Sequence, residues 1–379
     1  MGITKSIQAS VENCDTSFEI RSLIGRTPMV KLRRILPAGA PEVFLKLEQF
    51  NPGGSIKDRT ALGMLIRAEE MGVLKPGMTI IESSSGNTAI GLAMLGRDRG
   101  YNVIAICDRH LPEAKRIRLR SFGADIVYLP DTPKGIDTVE LRIGVADYLA
   151  AITSNSISLG QYSNPANPAI HYSSTGPEIW NDMSGNITAL FSAVGTCGTI
   201  TGVGKFLKER DSNISIYGVE PEGSIVFGGE KSNYLVQGGG LSFIPPVLDR
   251  SVIDYGIKVP DAATFYAIRK LALHEGWMVG GTGGMVMAAI LNNLEKFSEQ
   301  DRLVGIIPDG GERYLETAFS DEWYRQNGFG ASIYNGFSGE QVFIKEVERI
   351  GCSLNSSTSA KRLSIEDLCK IINVKFSMD

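Results

Sequence analysis

The chain has 379 residues, with 38 Lys and Arg against 42 Asp and Glu and a net charge of -4 at pH 7. At roughly 150 residues per domain, that is length for two or three domains with real cores. With 43% hydrophobic and 21% charged residues it is a globular composition, not a disordered or fibrous one. The acidic balance argues against a nucleic-acid partner. No apolar run approaches the roughly 18 residues of a membrane span, and Met1–Ser10 lacks the apolar stretch of a signal peptide. The start Met1-Gly2-Ile3-Thr4-Lys5-Ser6 fits the short myristoylation pattern, which chance supplies readily. Cys14, Cys107, Cys197, Cys352 and Cys369 are scattered without a CxxC pair, so reduced, structural thiols in a cytoplasmic chain are expected. His110, His171 and His274 are isolated, and no metal site is expected. Glycine is the outlier: 43 of 379, about 11% against an average of roughly 7%.

In chain order, short apolar runs alternate with longer helical patterns, the signature of an α/β protein with mainly parallel strands. Strand Val43–Glu48 leads through the loop Asn51-Pro52-Gly53-Gly54-Ser55 to Lys57, at the start of a helix. Strand Met78–Glu82 leads through Ser83-Ser84-Ser85-Gly86-Asn87 to helix Asn87–Arg99. Strand Asn102–Cys107, helix Glu113–Phe122, strand Asp125–Leu129 and helix Asp137–Ile152 follow. Strand Ile187–Val194 leads through Gly195-Thr196-Cys197-Gly198-Thr199 to helix Thr199–Glu209, then strand Ile214–Val219. After Gly238-Gly239-Gly240 come helix Ala262–His274, the loop Gly280–Gly284, helix Gly284–Phe297 and strand Arg302–Pro308. Beyond about Arg325 the pattern changes. Gly- and Asn-rich 327–339 and Ser-rich 351–360 read as connectors. The amphipathic pieces Gln341–Ile350 and Ser364–Val374 read as a packing or dimer-facing appendage, with Ser364 and Asp367 resembling a capping box.

Ligands of such folds sit at the carboxyl ends of the strands. Five glycine-rich loops there exceed what turns require, and together they read as the lining of one ligand site. Gly195–Thr199 follows a strand and opens a helix, where free backbone N–H groups suit a phosphate. It is neither GxGxxG nor a P-loop, because Gly204-Lys205 is followed by Phe206 and preceded by no glycine at the required spacing. A phosphate cradle together with a lysine able to form Schiff bases is the inventory of a pyridoxal phosphate enzyme.

Those residues carry a family resemblance. Asn51–Arg59 (NPGGSIKDR), Ser84–Thr88 (SSGNT), Gly195–Thr199 (GTCGT), Gln161–Trp180 (QYSNPANPAIHYSSTGPEIW) and Gly311–Tyr314 (GERY) resemble the cysteine synthase and cystathionine beta-synthase group of fold-type-II pyridoxal phosphate enzymes, from about Ile20 to Trp323. The resemblance implies a tryptophan synthase beta-like α/β fold of two domains, each with a mainly parallel sheet flanked by helices. It places a smaller, substrate-closing domain at 42–160, a larger cofactor-binding domain at 1–41 and 161–325, and an extension at 326–379. It further implies Lys57 as the Schiff-base lysine and Gly195, Thr196, Cys197, Gly198 and Thr199 as the phosphate loop. Asn87 would meet the ring hydroxyl and Thr282 the ring nitrogen. Ser84, Ser85, Gly86, Asn87, Thr88 and Gln161 would hold the substrate carboxylate. Cys197 stands where the family usually has Gly, so an ordinary φ or a slightly reshaped loop is expected there. A cytoplasmic homodimer acting on small amino acids is implied as well.

A hydroxyl at the ring nitrogen, unlike a carboxylate, does not keep it protonated, which favours β-elimination followed by addition. Gly223-Ser224-Ile225-Val226-Phe227-Gly228 and Gly280-Gly281-Thr282 resemble the branch that makes N-(2-amino-2-carboxyethyl)-L-glutamate, on the way to 2,3-diaminopropionate and siderophores. There, O-phospho-L-serine gives an aminoacrylate that the amine of glutamate attacks. Arg142 is the candidate cation for the anionic groups, and Tyr162 could orient the nucleophile. Arg109, Lys115, Arg116, Arg118 and Arg120 read as a solvated helix face, and His171 as a structural histidine. Alternatives are a sulfide-using cysteine synthase on O-acetylserine or O-phosphoserine, and a pathway protein that binds pyridoxal phosphate and an amino acid without turnover.

Overall fold

The computed structural model describes residues 19–109, 111–132 and 136–329, and the backbone of 341–343. Cys14, Cys352, Cys369, His110, residues 1–6 and the segments 327–339 and 341–374 lie wholly or largely outside them.

Strands β1 (Met29–Lys31) and β2 (Glu42–Leu47) form a hairpin. The next four, β3 (Thr79–Ser83), β4 (Asn102–Cys107), β5 (Asp125–Tyr128) and β6 (Ser156–Ser158), make a separate sheet of order β5-β4-β3-β6, parallel throughout. Then β7 (Ala189–Ala193), β8 (Ser215–Pro221), β9 (Tyr255–Val259), β10 (Arg302–Ile307) and β11 (Gln341–Phe343) join the hairpin. The seven-stranded order is β1-β2-β10-β7-β8-β9-β11, and only the edge strands β1 and β11 run antiparallel to their neighbours. Parallel strands covered on both faces must be apolar throughout. Accordingly Leu303, Val304, Ile306 and Ile307 of β10 and Ala189, Leu190 and Phe191 of β7 are all buried.

Helices cover both faces of each sheet. Asp261–Glu275 and Gly281–Leu291 pack on one face of the larger sheet with Ile268, Leu271, Met285 and Val286. Gly198–Arg210 covers the other face with Ile200, Val203 and Leu207. Lys57–Glu70 and Asn87–Asp98 pack on the smaller sheet with Met64, Leu65, Leu92 and Leu95. Helix Thr138–Ile152 covers its back with Leu141 and Val145. The expected α/β layering of parallel sheets flanked by helices is present.

Two details differ from expectation, and a third had no counterpart in the sequence reading. β2 lies within 42–160, yet it is hydrogen-bonded between β1 and β10 in the larger sheet, because Val43, Leu45 and Leu47 are fully buried there. The smaller sheet therefore draws only on residues 79–158. The helix expected at Gly284–Phe297 runs Gly281–Leu291 and ends before Asn292-Asn293. Residues 166–182 form a helical run, Ala166–Ile170, a wide turn His171–Thr175 and Gly176–Asp182, despite Pro165 and Pro168. Pro168 sits in the first turn, where no intrahelical N–H bond is required. No described helix is long and apolar enough to cross a membrane.

Candidate active site

The carboxyl ends of β2, β3, β4, β6, β7 and β10 all point toward one cavity of about 500 Å³. Its lining includes Lys57, Ser84–Thr88, Gly195, Thr196, Gly238–Gly240 and Thr282, so four of the five glycine-rich loops supply its wall and the fifth delivers Lys57. Helices beginning at Lys57, Asn87, Gly198 and Gly281 bring their N-termini to it, which makes the cavity favourable to anions.

Lys57 is mounted by its loop. The Gly53 N–H donates to Asp58 Oδ2 (2.6 Å), and the Gly53 carbonyl accepts from Arg118 Nη2 (2.7 Å) and from Arg313. A Cβ at Gly53 would stand 2.3 Å from Asp58 Oδ1, so only glycine fits. Ile56 N–H donates to Pro308 O (2.8 Å), tying the loop to β10. Behind it, Arg59, 1% exposed, bonds Glu48, 0% exposed, through Nε and Nη2, and reaches Glu178 as well. No hydrogen bond or ion pair among the described residues holds the Lys57 amine. Burial pushes its pKa below the usual lysine value, against the pull of Asp309, Cys197 and Glu48.

On the smaller-sheet side, Asn87 is clamped: its Nδ2 donates to Asp309 Oδ2 (2.8 Å) and its Oδ1 accepts from Arg313. Thr88 Oγ1 donates to Gln161 Oε1 (2.6 Å), and Gln161 Nε2 donates to Ser83 O (3.0 Å). Ser84 Oγ accepts from Gly86 N–H and Ala89 N–H, each at 3.2 Å. Arg142, 7% exposed, donates to Ser85 Oγ (2.7 Å), Ser83 Oγ (3.2 Å) and Asp108 Oδ2 (2.5 Å). Burial opposes its charge, but the Tyr162 oxygen and Asp108 more than offset this and raise its pKa. Tyr162 also lines the cavity, packed edge-on against Phe243 at 5.6 Å. The basic cluster divides. Arg109 and Arg116 pair with Asp131 and Glu113 on the surface, whereas Lys115 and Arg118 turn inward to Gln237 and Gly53.

The cradle at Gly195–Thr199 is sterically tight. A Cβ at Gly198 would stand 2.0 Å from Asn167 Oδ1, and one at Gly195 would stand 2.8 Å from Gly238 O. Asn167, fully buried, donates to Thr196 Oγ1 (3.1 Å) and Gln161 O (2.8 Å). Cys197 corrects the expectation of an ordinary φ: at φ 66° and ψ -1° it is left-handed. The loop keeps a glycine-like conformation with a side chain in it, at a strain cost of about 1–2 kcal/mol. Its thiol is buried, with a raised pKa from burial. His171 faces Thr60, Thr175 and Thr199 hydroxyls at 2.9–3.3 Å. Burial, followed by the Lys57 and Arg59 charges, lowers its pKa well below the usual value.

Residues 20–309 match the family described as "Pyridoxal-phosphate dependent enzyme". The chain belongs to that family. Pyridoxal phosphate is its cofactor. Cystathionine beta-synthase of Apis mellifera is 42% identical over 318 residues, 82% of this chain and 63% of that protein. Cystathionine beta-synthase of Rattus norvegicus is 42% identical over 319 residues, 82% of this chain and 57% of that protein. The chain thus spans less than two thirds of the length of these relatives. A crystal structure of O-ureido-L-serine synthase superposes with a TM-score of 0.75 at 37% identity, covering 81% of this chain and 98% of that one.

The cavity fits the cofactor by three observations. It holds a buried lysine amine without a protein partner, a helix N-terminus too close to Asn167 for any residue but glycine at 198, and the 5% exposed Thr282 beside the cavity. Among the described residues, no group of three or more His, Cys, Asp and Glu could hold a metal ion. Sequence reading gave no role to three of the site's polar groups. Asp309 accepts from Asn87 and from Tyr314 Oη (2.8 Å), Asp108 pairs with Arg142, and Asn167 anchors the cradle. Asp108 and Asp309 each follow the last residue of a strand by one or two positions, and that placement is the signal that marks them.

Proposed function

We propose that the chain catalyses β-replacement on an activated L-serine, O-phospho-L-serine by preference, and adds the amine of L-glutamate to give N-(2-amino-2-carboxyethyl)-L-glutamate. On this reading Lys57 carries the cofactor, Gly195–Thr199 with Asn167 behind them take its phosphate, Asn87 meets its ring hydroxyl and Thr282 its ring nitrogen. Bound there, pyridoxal phosphate would supply the electron sink that makes the substrate Cα–H acidic. The loop Ser84–Thr88 with Gln161 orients the substrate carboxylate at the N-terminus of helix Asn87–Asp98. The Lys57 amine takes the Cα proton and later returns it; its lowered pKa keeps more of it in the basic form. Thr282 offers a hydroxyl rather than a carboxylate, which supports elimination over transamination. The unit around the smaller sheet closes over the substrate and excludes water.

The observation that carries the choice of substrates is Arg142, a buried guanidinium brought to the cavity wall beside Ser85, suited to a phosphate or a dicarboxylate. A second reading has a sulfur nucleophile, and the similarity to cystathionine beta-synthases favours it. Absorbance of the holoenzyme separates the two. O-Phospho-L-serine should shift the visible band of the lysine-bound cofactor, and glutamate should restore it. Restoration by sulfide or a thiol and not by glutamate overturns the proposal.

A further inference from the structure

Arg142 is suited to an anion, yet the fold supplies it with an anion of its own. Asp108, the first residue after β4, accepts from Arg142 Nη1 (2.5 Å) and Ser85 Oγ (2.6 Å) through Oδ2. Its Oδ1 is shut off from water and has no donor among the described residues. Both side chains line the cavity, and the Asp108 side chain is 38% exposed against 9% for Arg142.

A simple anion entering here meets a guanidinium whose charge is already balanced. Nothing about such an anion uses the carboxylate, whose side chain is 38% exposed. A zwitterion uses both halves of the pair: its carboxylate faces the guanidinium, and its ammonium faces the carboxylate. Lys115 adds a third charge. It lines the same cavity, with its amine 2.8 Å from Gln237 Oε1 across the mouth, where a second carboxylate would find a cation.

We propose that Asp108 is the residue that determines the nucleophile: its carboxylate receives the ammonium of an incoming α-amino acid and takes the proton that nitrogen sheds as the new C–N bond forms, while Arg142 takes a carboxylate and the substituent of the activated serine has already left in the elimination. The second substrate is thereby an amino acid that reacts through nitrogen, with a dicarboxylic one favoured by Lys115. This rests on the β-replacement reading above and narrows it.

The test uses the holoenzyme and its Asp108→Asn variant, each treated with O-phospho-L-serine and then with glutamate or sulfide, with recovery of the cofactor band followed in time. The ratio of glutamate to sulfide efficiency should fall at least about tenfold in the variant, since a charge-assisted contact is lost for one nucleophile only. An unchanged ratio, including equal loss with both, shows that Asp108 merely holds Arg142 in place and overturns the inference. If the variant does not fold, competition in the wild type decides. Glutarate, which lacks the amine, should need at least about a tenfold higher concentration than the half-saturating glutamate; equal potency overturns the inference. A wild type restored by sulfide and by no amino acid removes the glutamate reading as well, and it is recognised without any variant.

Discussion

Glu82 sits at the penultimate position of β3, 1% exposed, with its carboxylate accepting from Gly160 N–H (3.0 Å) and Gln161 N–H (3.4 Å). It therefore holds the turn that presents Gln161 and Tyr162 to the cavity. Burial pushes its pKa up to about 7, from 4.5, with the backbone donors acting against burial and Asp147 with it. A pKa raised on folding means that the native state binds the extra proton. This contribution to stability is complete below the unfolded pKa and is lost as pH rises through about 7. Integrating the linkage between pH 5 and pH 8 gives a loss of about 2.5 kcal/mol from this one group. Asp58, also raised to about 7 by burial, adds to the slope, so the wild type alone does not isolate Glu82. Glu82→Gln does. Its carbonyl keeps one backbone donor, its cost is independent of pH, and it leaves Asp58 untouched. Urea melts of wild type and variant at pH 5, 6, 7 and 8, with the cofactor at one fixed excess, should show the variant gaining on the wild type by about 2 kcal/mol or more across the range. Parallel curves, with the difference constant within experimental error, would refute the reasoning and mean that Glu82 is ionised throughout.

Replacing Arg59 by Met should destabilise the protein by about 3–5 kcal/mol in urea melts, because Glu48 stays fully buried without its cation; pairing it with Glu48→Gln should recover part of the loss, and a double variant worse than the single one contradicts the idea. Gly198→Ala should weaken cofactor binding by about tenfold in a fluorescence titration, since about 1–3 kcal/mol of overpacking falls on Asn167 and the cradle; unchanged affinity would show that the loop yields freely. Asp309→Asn removes the charge that most opposes the downward shift of the Lys57 pKa. The pH at which the free lysine of the cofactor-free protein reacts with an amine reagent should therefore fall, whereas an unmoved profile would place Asp309 in a purely packing role.

The central strands were legible because their demands are local. Val43, Leu45 and Leu47, or Leu303 to Ile307, are apolar in a run, and parallel strands covered on both faces require that. The strands that escaped reading are of another kind. Met29–Lys31 and Ser156–Ser158 are three residues long and half-buried or exposed, so they carry little apolar signal and depend on their partners for existence. Tyr255–Val259 holds a glycine that is required by contact, not by turn: a Cβ at Gly256 would stand 2.8 Å from the Phe227 ring. Lys57, Asn87 and the Gly195–Thr199 loop stood out because glycine and hydroxyl residues cluster beside them in the sequence. Asp108 and Asn167 have no such neighbours, Asp309 has only Gly310-Gly311 after it, and the roles of all three arise only where distant segments meet. The left-handed Cys197 belongs here too: the side chain itself does not announce the φ that the cradle imposes, and the hint lies only in the Gly that the resembling family usually has there.

The same physics explains why so much of the chain bears on a single amine. The peptide of Gly53, four residues before Lys57, is held on its N–H side by Asp58 and on its carbonyl side by Arg118 and Arg313. Arg313 also holds Asn87, and Asn87 shares Asp309 with Tyr314. The helix at Glu113–Ser121 lies beside the smaller sheet, whereas Gly311–Tyr314 follows β10 of the larger one. Lys57 is thus fixed from both sheets through one glycine peptide. On the proposed reading, in which the unit around the smaller sheet closes over the substrate, that movement would act on these contacts and re-aim the lysine. Loss of Arg118, which touches no cavity wall, should on that account act on proton transfer more than on substrate affinity: in Arg118→Met, kcat should fall several-fold with KM little changed. A rise in KM alone would place Arg118 in substrate binding instead.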